Sequence, residues 1–369
     1  MQPIVRVEEA GLGPQAPVRA VLSGLEQLEA IQRQLEVSGV TVECRGARIR
    51  VTAPITAVAR AFGRALGPQA GDAMAGQLGQ AVAGWCSPTT TVQLASGDLS
   101  EGDGRPLVMG IINVTPDSFS DGGQLYPDGH PDAAIAAGTQ MAAAGAQILD
   151  VGGESTRPGS EPVSEDEELA RVVPVVSGLA GSGVPVSIDT MKPAVARAAV
   201  DAGAAVINDV SGAHDPDLLA VAAESSAAYV LMHTRGTPAT MPGLTDYDDV
   251  VAEVYEFLAQ GVDRCVAAGV PRERILVDPG IGFAKTPAQS FALMAALRQF
   301  TGLRCPVLVG ASRKRFLGTV APQTSPPDRL AASLTCAVTA TLAGAAVIRV
   351  HDVAATVQAV ATATAIRGD

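Results

Sequence analysis

The sequence predicts a (β/α)8 TIM barrel preceded by a small α/β extension, and two observations support this. Eight short β-rich runs recur between residues 107 and 352, each ending in polar or charged residues, and stretches rich in Ala, Leu and Val separate most of them. Alternating strands and helices of this kind indicate a parallel sheet closed into a barrel. The runs are LVMGIINV, AQILDVGG, VPVSIDT, AAVINDVSG, AYVLMHT, ILVDPGIG, PVLVGASRK and AAVIRVHD.

Polar side chains stand at or near the C-terminal ends of these predicted strands. Active sites of TIM barrels lie at that face. The sequence therefore predicts the position of its own active site. The residues are Asn113, Asp150, Asp189, Asn208, His233, Asp278, Lys314, Arg349 and His351.

Length and composition limit the domain organisation and the partners. The 369 residues leave room for a barrel of roughly 250 residues and a smaller domain, which we place at residues 86–369 and 1–85. The net charge of -12 and the low aromatic content of 3% disfavour nucleic acid and anionic membranes as partners. Local Arg and Lys residues can still bind a small anionic substrate.

The cysteines and the N-terminus favour a cytoplasmic location. The five cysteines are far apart and include no CxxC pair, so free thiols in a reducing compartment are favoured over disulfides or a zinc site. The N-terminus shows no basic segment followed by an apolar run, and no apolar run approaches the ~20 residues of a membrane span.

Residues 1–85 read as a separate α/β module. VRAVLSG predicts a strand, residues 25–39 an amphipathic helix, VTVECRGARIRVTA two strands, and residues 55–66 and 72–85 two more helices. The module contains no phosphate loop, metal cluster or paired catalytic carboxylates, so a packing or oligomerisation role is favoured over a second binding site. Residues 86–106 resemble a hairpin that could close the bottom of the barrel.

Two loops rich in Gly and Pro follow the first two barrel strands. The first begins NVTPDSFSDGG at residue 113, and the second, GGESTRPGSEPVS, spans residues 152–164. Long loops after barrel strands are usually functional. A pair of them indicates two lids that exclude water from the site.

Eight motifs in order resemble the dihydropteroate synthase family of folate biosynthesis, over about residues 86–369. The resemblance implies an enzyme that joins 6-hydroxymethyl-7,8-dihydropterin diphosphate to 4-aminobenzoate with Mg2+, usually as a homodimer, and that sulfonamides target. The motifs are NVTPDSFSDGG, DVGGESTRPGS, SIDT, INDVSG, LMH, DPGIGFAK, GASRKRFLG and RVHDV.

The resemblance also implies which residues bind the pterin. A pterin edge presents N–H donors beside acceptors, which carboxylates and an amide at fixed positions can read. Asp189, Asn208 and Asp278 suit that task, and Lys314 can donate to the ring carbonyl or a ring nitrogen. The matching family positions place Met232 and Phe283 against the ring.

The diphosphate is expected at Arg349 and His351, which are two residues apart on the last strand and therefore share a face. Arg presents a fork suited to phosphate oxygens. Asn113 is the position that the family associates with its metal ion, and an amide oxygen suits Mg2+. Arg157 is expected to contact the departing pyrophosphate or to close its loop.

The aminobenzoate is expected between the two loops. The resemblance favours Thr156, Pro158 and Ser312 for this pocket, with Phe119 as a lid contact. A further hypothesis pairs Asp117 with Arg157 across the lids.

The catalytic residues are then Asp189, Asp278, Lys314, Arg349 and His351, which stabilise the pterin and the leaving group. No single general base is assigned, because an aryl amine is a competent nucleophile.

Two alternatives to the synthase are a methyltetrahydrofolate-dependent methyltransferase and a non-catalytic pterin-binding homologue. The methyltransferase would not need the ESTRPG loop, the SRK motif or the Arg-x-His pair. The non-catalytic homologue would have decayed lid loops, and both loops look intact in this sequence.

Overall fold

The computed structural model describes residues 4–10, 16–25, 28–38, 40–45, 48–115, 130–157, 160–320 and 325–368. They form two compact units. The first contains residues 1–89 and 296–304, and the second contains residues 90–295 and 305–369. The first unit thus includes a short segment from within the barrel sequence.

The first unit is an antiparallel sheet with helices, as the sequence predicts, and it has one strand more than expected. The sheet order is β1-β2-β4-β3. The additional strand is β1, whose pairing with β2 shifts register between Val7 and Glu9. The elements are β1 (Ile4–Ala10), β2 (Pro17–Ser23), α1 (Leu28–Val37), β3 (Thr41–Arg45), β4 (Arg48–Pro54), α2 (Ile55–Leu66) and α3 (Pro68–Cys86).

One face of this sheet forms the core of the first unit. Strand β4 alternates buried and half-buried residues, and Ile49 and Val51 pack with Phe62 and Leu78 of the helices. A period of two places alternate side chains on one face. The segment 296–304 contains α10 (Leu297–Phe300), and Nε of Arg298 donates to the carbonyl oxygen of Trp85 over 2.7 Å.

The second unit is the barrel, and all eight predicted strands are present. They are parallel, in the order β12-β11-β10-β9-β8-β7-β14-β13, and a parallel bridge between Val277 and Val307 joins the two end strands. The strands are β7 (Leu107–Asn113), β8 (Ile148–Gly152), β9 (Val186–Asp189), β10 (Ala204–Asp209), β11 (Ala228–Met232), β12 (Ile275–Asp278), β13 (Leu308–Val309) and β14 (Val347–Val350).

At least one helix follows each barrel strand, which completes the (β/α)8 pattern. The helices of this unit are α4 (Asp132–Ala143), α5 (Glu165–Leu179), α6 (Pro193–Asp201), α7 (Pro216–Glu224), α8 (Val250–Ala267), α9 (Pro287–Ala295), α11 (Leu330–Leu342) and α12 (Val353–Arg367). No helix among the described residues has both the length and the apolar character needed to cross a bilayer.

The predicted hairpin is formed by β5 (Val92–Leu94) and β6 (Gly97–Leu99). Val92 and Leu94 share a buried cluster with the first residues of several strands, including Leu107 and Ile148. The hairpin therefore closes the N-terminal end of the barrel, as predicted. The opposite end remains for the polar residues.

Candidate active site

The parallel strands bring the predicted polar residues to one end of the barrel. Asn113, Asp189 and Asp278 are the last residues of their strands. Asn208 pairs with Asp189 in the register of β10 and β9, and Met232 pairs with Asp278 in that of β11 and β12. Most of the predicted pterin residues therefore lie on four consecutive strands.

A buried ion-pair network crosses the barrel mouth. Arg349 donates from Nε to Oδ2 of Asp150 over 2.5 Å and from Nη2 to Oδ2 of Asp189 over 2.7 Å. Asn208 donates from Nδ2 to the same Asp150 oxygen over 3.2 Å. The Oδ1 atoms of Asp150 and Asp189 are buried and accept no hydrogen bond from any described residue. Buried polar atoms in proteins are usually satisfied, so these two oxygens are suited to N–H donors of a ligand.

Asp150 is a residue to which the sequence analysis assigned no role. It is the third residue of β8 and fully buried, at 0% exposure. The clue in the sequence was a carboxylate inside the apolar run ILDVG, because a charge there requires a partner.

Burial perturbs the ionisation of Asp189. Desolvation raises the pKa of Asp189 to about 7, Asp150 and Glu168 raise it as well, and Arg349 lowers it. A carboxylate with a pKa near neutrality in a polar cluster is typical of a functional site.

Asp278, Phe283 and Lys314 form a second group. Burial raises the pKa of Asp278, against the lowering effects of Lys314 and of the Gly280 N–H, which donates to Oδ1 over 2.7 Å. Burial lowers the pKa of Lys314 to about 8. Its Nζ donates to the Ile281 carbonyl oxygen and lies 4.4 Å from the centroid of the Phe283 ring. The structure thus brings together three residues that the sequence analysis placed around a pterin.

A buried amine supports the turn that carries this group. Nζ of Lys285 lies 2.9 Å from Nδ1 of His233, 2.9 Å from the Gly280 oxygen and 2.8 Å from the Phe283 oxygen. Burial lowers the pKa of Lys285 well below its ordinary value. The amine can satisfy all three contacts in either protonation state, because the imidazole nitrogen can accept or donate. Lys285 is not among the site residues predicted from the sequence.

Gly280 is required at this turn. Its φ of +65° lies in the left-handed region, and a Cβ there would stand 1.9 Å from the His233 carbonyl oxygen. Only glycine fits this conformation and this approach.

His351 lies among cations and next to Ser312. Its Nδ1 is 3.0 Å from Oγ of Ser312, which also accepts from the His351 backbone N–H over 3.2 Å. Burial lowers the pKa of His351 to about 3, and Arg313, Arg349, Arg157 and Lys314 lower it further, in that order. His351 is therefore neutral near pH 7, and the charged groups around it favour an anion.

Of the predicted loop residues, Thr156 and Arg157 are half-buried and follow β8. Phe119, Pro158 and Asp117 lie outside the described residues, and so does the predicted Asp117–Arg157 pair.

Within the described part of the chain, no three His, Cys, Asp or Glu side chains cluster as metal ligands. All five cysteines fall within that part and are unpaired.

Comparisons with known proteins identify the family of the chain. Residues 109–351 match the family model described as pterin binding enzyme. A dihydropteroate synthase of Synechocystis is 46% identical over 264 residues, covering 71% of this chain and 90% of the relative.

Two solved structures superpose on the chain. The Yersinia pestis dihydropteroate synthase in a sulfonamide complex has a TM-score of 0.72 and 42% identity, covering 76% of this chain and 100% of that one. The Burkholderia cenocepacia enzyme complexed with 7,8-dihydropteroate has a TM-score of 0.68 and 44% identity, covering 76% and 97%. The chain therefore belongs to the pterin-binding enzymes and, within them, to the dihydropteroate synthase family.

Proposed function

We propose that the chain is a dihydropteroate synthase, a transferase that joins 6-hydroxymethyl-7,8-dihydropterin diphosphate to 4-aminobenzoate and releases pyrophosphate. The observation that carries the proposal is the Arg349 network, in which two buried carboxylates each keep one oxygen unpaired among the described residues, beside the cations that surround His351. A ligand that has both an N–H-rich ring and a diphosphate matches this site, because the ring can donate to the carboxylates and the diphosphate can pair with the cations.

The pterin occupies the carboxylate side of the proposed site. Asp189 and Asp278 accept from ring N–H groups, and Asn208 can donate and accept. Lys314 donates to the ring carbonyl or a ring nitrogen, while Met232 and Phe283 contact the ring faces. Asp150 orients Asn208 and Arg349 through the contacts described above.

The diphosphate occupies the cationic side. Arg349 and Arg157 pair with phosphate oxygens, and His351, neutral near pH 7, donates one hydrogen bond. Positioned donors of this kind stabilise charge that develops on a leaving group.

The reaction follows from these contacts. The bond between the pterin methylene carbon and the diphosphate oxygen breaks, and the electron pair leaves with pyrophosphate. The amine nitrogen of 4-aminobenzoate forms the new C–N bond and loses a proton to solvent. Asp189 and Asp278 stabilise positive charge on the pterin, so orientation and leaving-group stabilisation account for the rate without a strong base.

We propose Mg2+ as the metal, held mainly by the substrate. The described residues offer no cluster of three potential ligands. Asn113, the last residue of β7, would supply one oxygen, with phosphate oxygens and waters as the remaining ligands. Bound there, Mg2+ would neutralise charge on the departing pyrophosphate.

The second substrate enters between the loops, where Thr156, Pro158, Ser312 and Phe119 form the aminobenzoate pocket. The Yersinia pestis relative is complexed with a sulfonamide drug. We therefore expect sulfonamides to compete with 4-aminobenzoate here.

We further propose that the protein is a homodimer and that it is cytoplasmic. Light scattering tests the oligomeric state, and a monomer would exclude the homodimer.

The deciding experiment is pyrophosphate release by the full-length protein with Mg2+ and the dihydropterin diphosphate, with and without 4-aminobenzoate. A strong rise with aminobenzoate and a dihydropteroate product would establish the synthase. A methyltransferase or a non-catalytic homologue would release none under either condition.

A further inference from the structure

The second loop begins where the backbone packs tightly on α5. A Cβ at Gly153 would stand 2.6 Å from Cγ1 of Val172 and 3.0 Å from Cγ of Glu168. The Gly153 carbonyl oxygen accepts from Nη1 of Arg171 over 2.7 Å. The chain therefore leaves β8 along a path fixed by α5.

Glu154, the next residue of the loop, pairs with Lys192, which follows a different barrel strand. Nζ of Lys192, between β9 and α6, donates to Oε2 of Glu154 and to Oε2 of Glu168. The Glu168 side chain is 1% exposed and that of Glu154 is 12% exposed. The two carboxylates raise the pKa of Lys192 despite its burial, so the amine stays charged.

The residue type at position 192 is itself informative. The chain contains 26 Lys and Arg residues, of which only Lys192, Lys285 and Lys314 are lysines. The other two stand at the site described above. A compact ammonium with three donors can sit between two carboxylates, whereas a planar guanidinium requires a different geometry.

We propose that the Glu154–Lys192 ion pair, anchored on Glu168, is a positioning element that fixes the start of the second loop so that Thr156 and Arg157 face the site. The proposal rests on the proposed function for the identity of the ligands. Lys192 and Glu154 touch no substrate; they act through the loop that follows.

The first variant is Glu154→Gln, which keeps the side-chain size and leaves the Lys192–Glu168 pair in place. Because the variant replaces an ionic hydrogen bond with a weaker neutral one, we expect the KM for 4-aminobenzoate to rise roughly tenfold or more. The affinity for the dihydropterin diphosphate, measured by calorimetry without aminobenzoate, should change less than twofold. Hydrogen exchange of residues 153–157 should become faster.

Lys192→Met and the double variant complete a mutant cycle, in which the two changes should be clearly non-additive. Arg197→Met on α6, which breaks an exposed pair with Glu224, is the matched control and should leave every readout unchanged.

Two outcomes would overturn the proposal: wild-type kinetics with unaltered exchange in Glu154→Gln, or an equal loss of affinity for both substrates. If Lys192→Met does not fold, Glu154→Gln alone decides the result. If the wild type makes no dihydropteroate, the proposed function fails, and the exchange measurement still tests the ion pair.

Discussion

Arg349 donates from Nη2 to Oδ2 of Asp189 over 2.7 Å, although the two residues are 160 positions apart in the sequence. Arg349 is the residue predicted to bind the diphosphate, and Asp189 is predicted to bind the pterin. Arg349 thus pairs with one oxygen of Asp189, while Oδ1 of Asp189 has no partner among the described residues. A diphosphate competes for the guanidinium and a pterin ring competes for the carboxylate, so the two halves of the substrate act on one ion pair.

This relationship predicts positive coupling between pyrophosphate and a pterin. Pyrophosphate that draws Arg349 away frees an oxygen of Asp189 for a ring N–H, so each ligand should tighten the other about 5-fold or more, within the usual range of coupling energies. Calorimetric titration of 6-hydroxymethylpterin with and without pyrophosphate measures the factor. Arg349→Met should abolish it, and equal pterin affinity in both wild-type titrations would contradict the idea.

A narrow pH optimum is the second prediction. Burial raises the pKa of Asp189 to about 7, so the carboxylate forms as pH rises through that value. Burial lowers the pKa of Lys314 to about 8, so the ammonium is lost above it. The profile of kcat/KM for the dihydropterin diphosphate, which reports the free enzyme, should therefore be bell-shaped with apparent limbs near these values.

Variants separate the two limbs. Lys314→Arg keeps its charge at high pH and should remove the alkaline limb, whereas Asp189→Asn should remove the acid limb at a large cost in rate. Because the chain has three lysines, competitive amine labelling followed by mass spectrometry reports the pKa of Lys314 directly. A flat wild-type profile from pH 6 to 9 would refute the assignment.

The fold could be predicted because each of its strands is recognisable from a short stretch of sequence. Each barrel strand is a short apolar run ending in a polar residue, and parallel topology carries all those ends to one face. Asp189, Asn208 and Asp278 were therefore identifiable from their place at the end of a run. The motif resemblance added roles, which remain predictions.

The contacts between strand ends were not predictable, because they depend on which side chains reach across the barrel. Asp150 precedes the end of its run, and its partner Arg349 is on a strand near the other end of the chain. Lys285 lies after a turn in which Gly280, Gly282 and Ala284 all have a positive φ. The strand β1 was not predicted, and the structure shows that its regular alternation is interrupted by a register shift between Val7 and Glu9.

Lys285→Met should destabilise the barrel and weaken pterin binding. Three polar groups would lose their hydrogen-bond partner, which we expect to cost about 3 kcal/mol of unfolding free energy. The pKa of Lys285 is lowered in the folded protein, so its stabilising contribution is smallest at low pH. The difference between wild type and variant should widen as pH rises toward roughly 10.4, the unfolded value. Denaturant titrations at several pH values measure it, and a constant difference would refute the predicted linkage.

The final prediction concerns the first unit, where a matched pair of glycines on α3 gives opposite expectations. A Cβ at Gly84 would stand 2.1 Å from the Thr301 carbonyl oxygen, whereas a Cβ at Gly79 meets nothing within 4 Å. Gly84→Ala should therefore lower the unfolding free energy of this unit by about 2 kcal/mol through overpacking against backbone. Gly79→Ala should raise it by about 0.5–1 kcal/mol through helix propensity. Trp85 is the only tryptophan of the chain, so its fluorescence during denaturant titration follows this unit specifically. Equal stability of the two variants would mean that segment 296–304 does not pack on α3 as described.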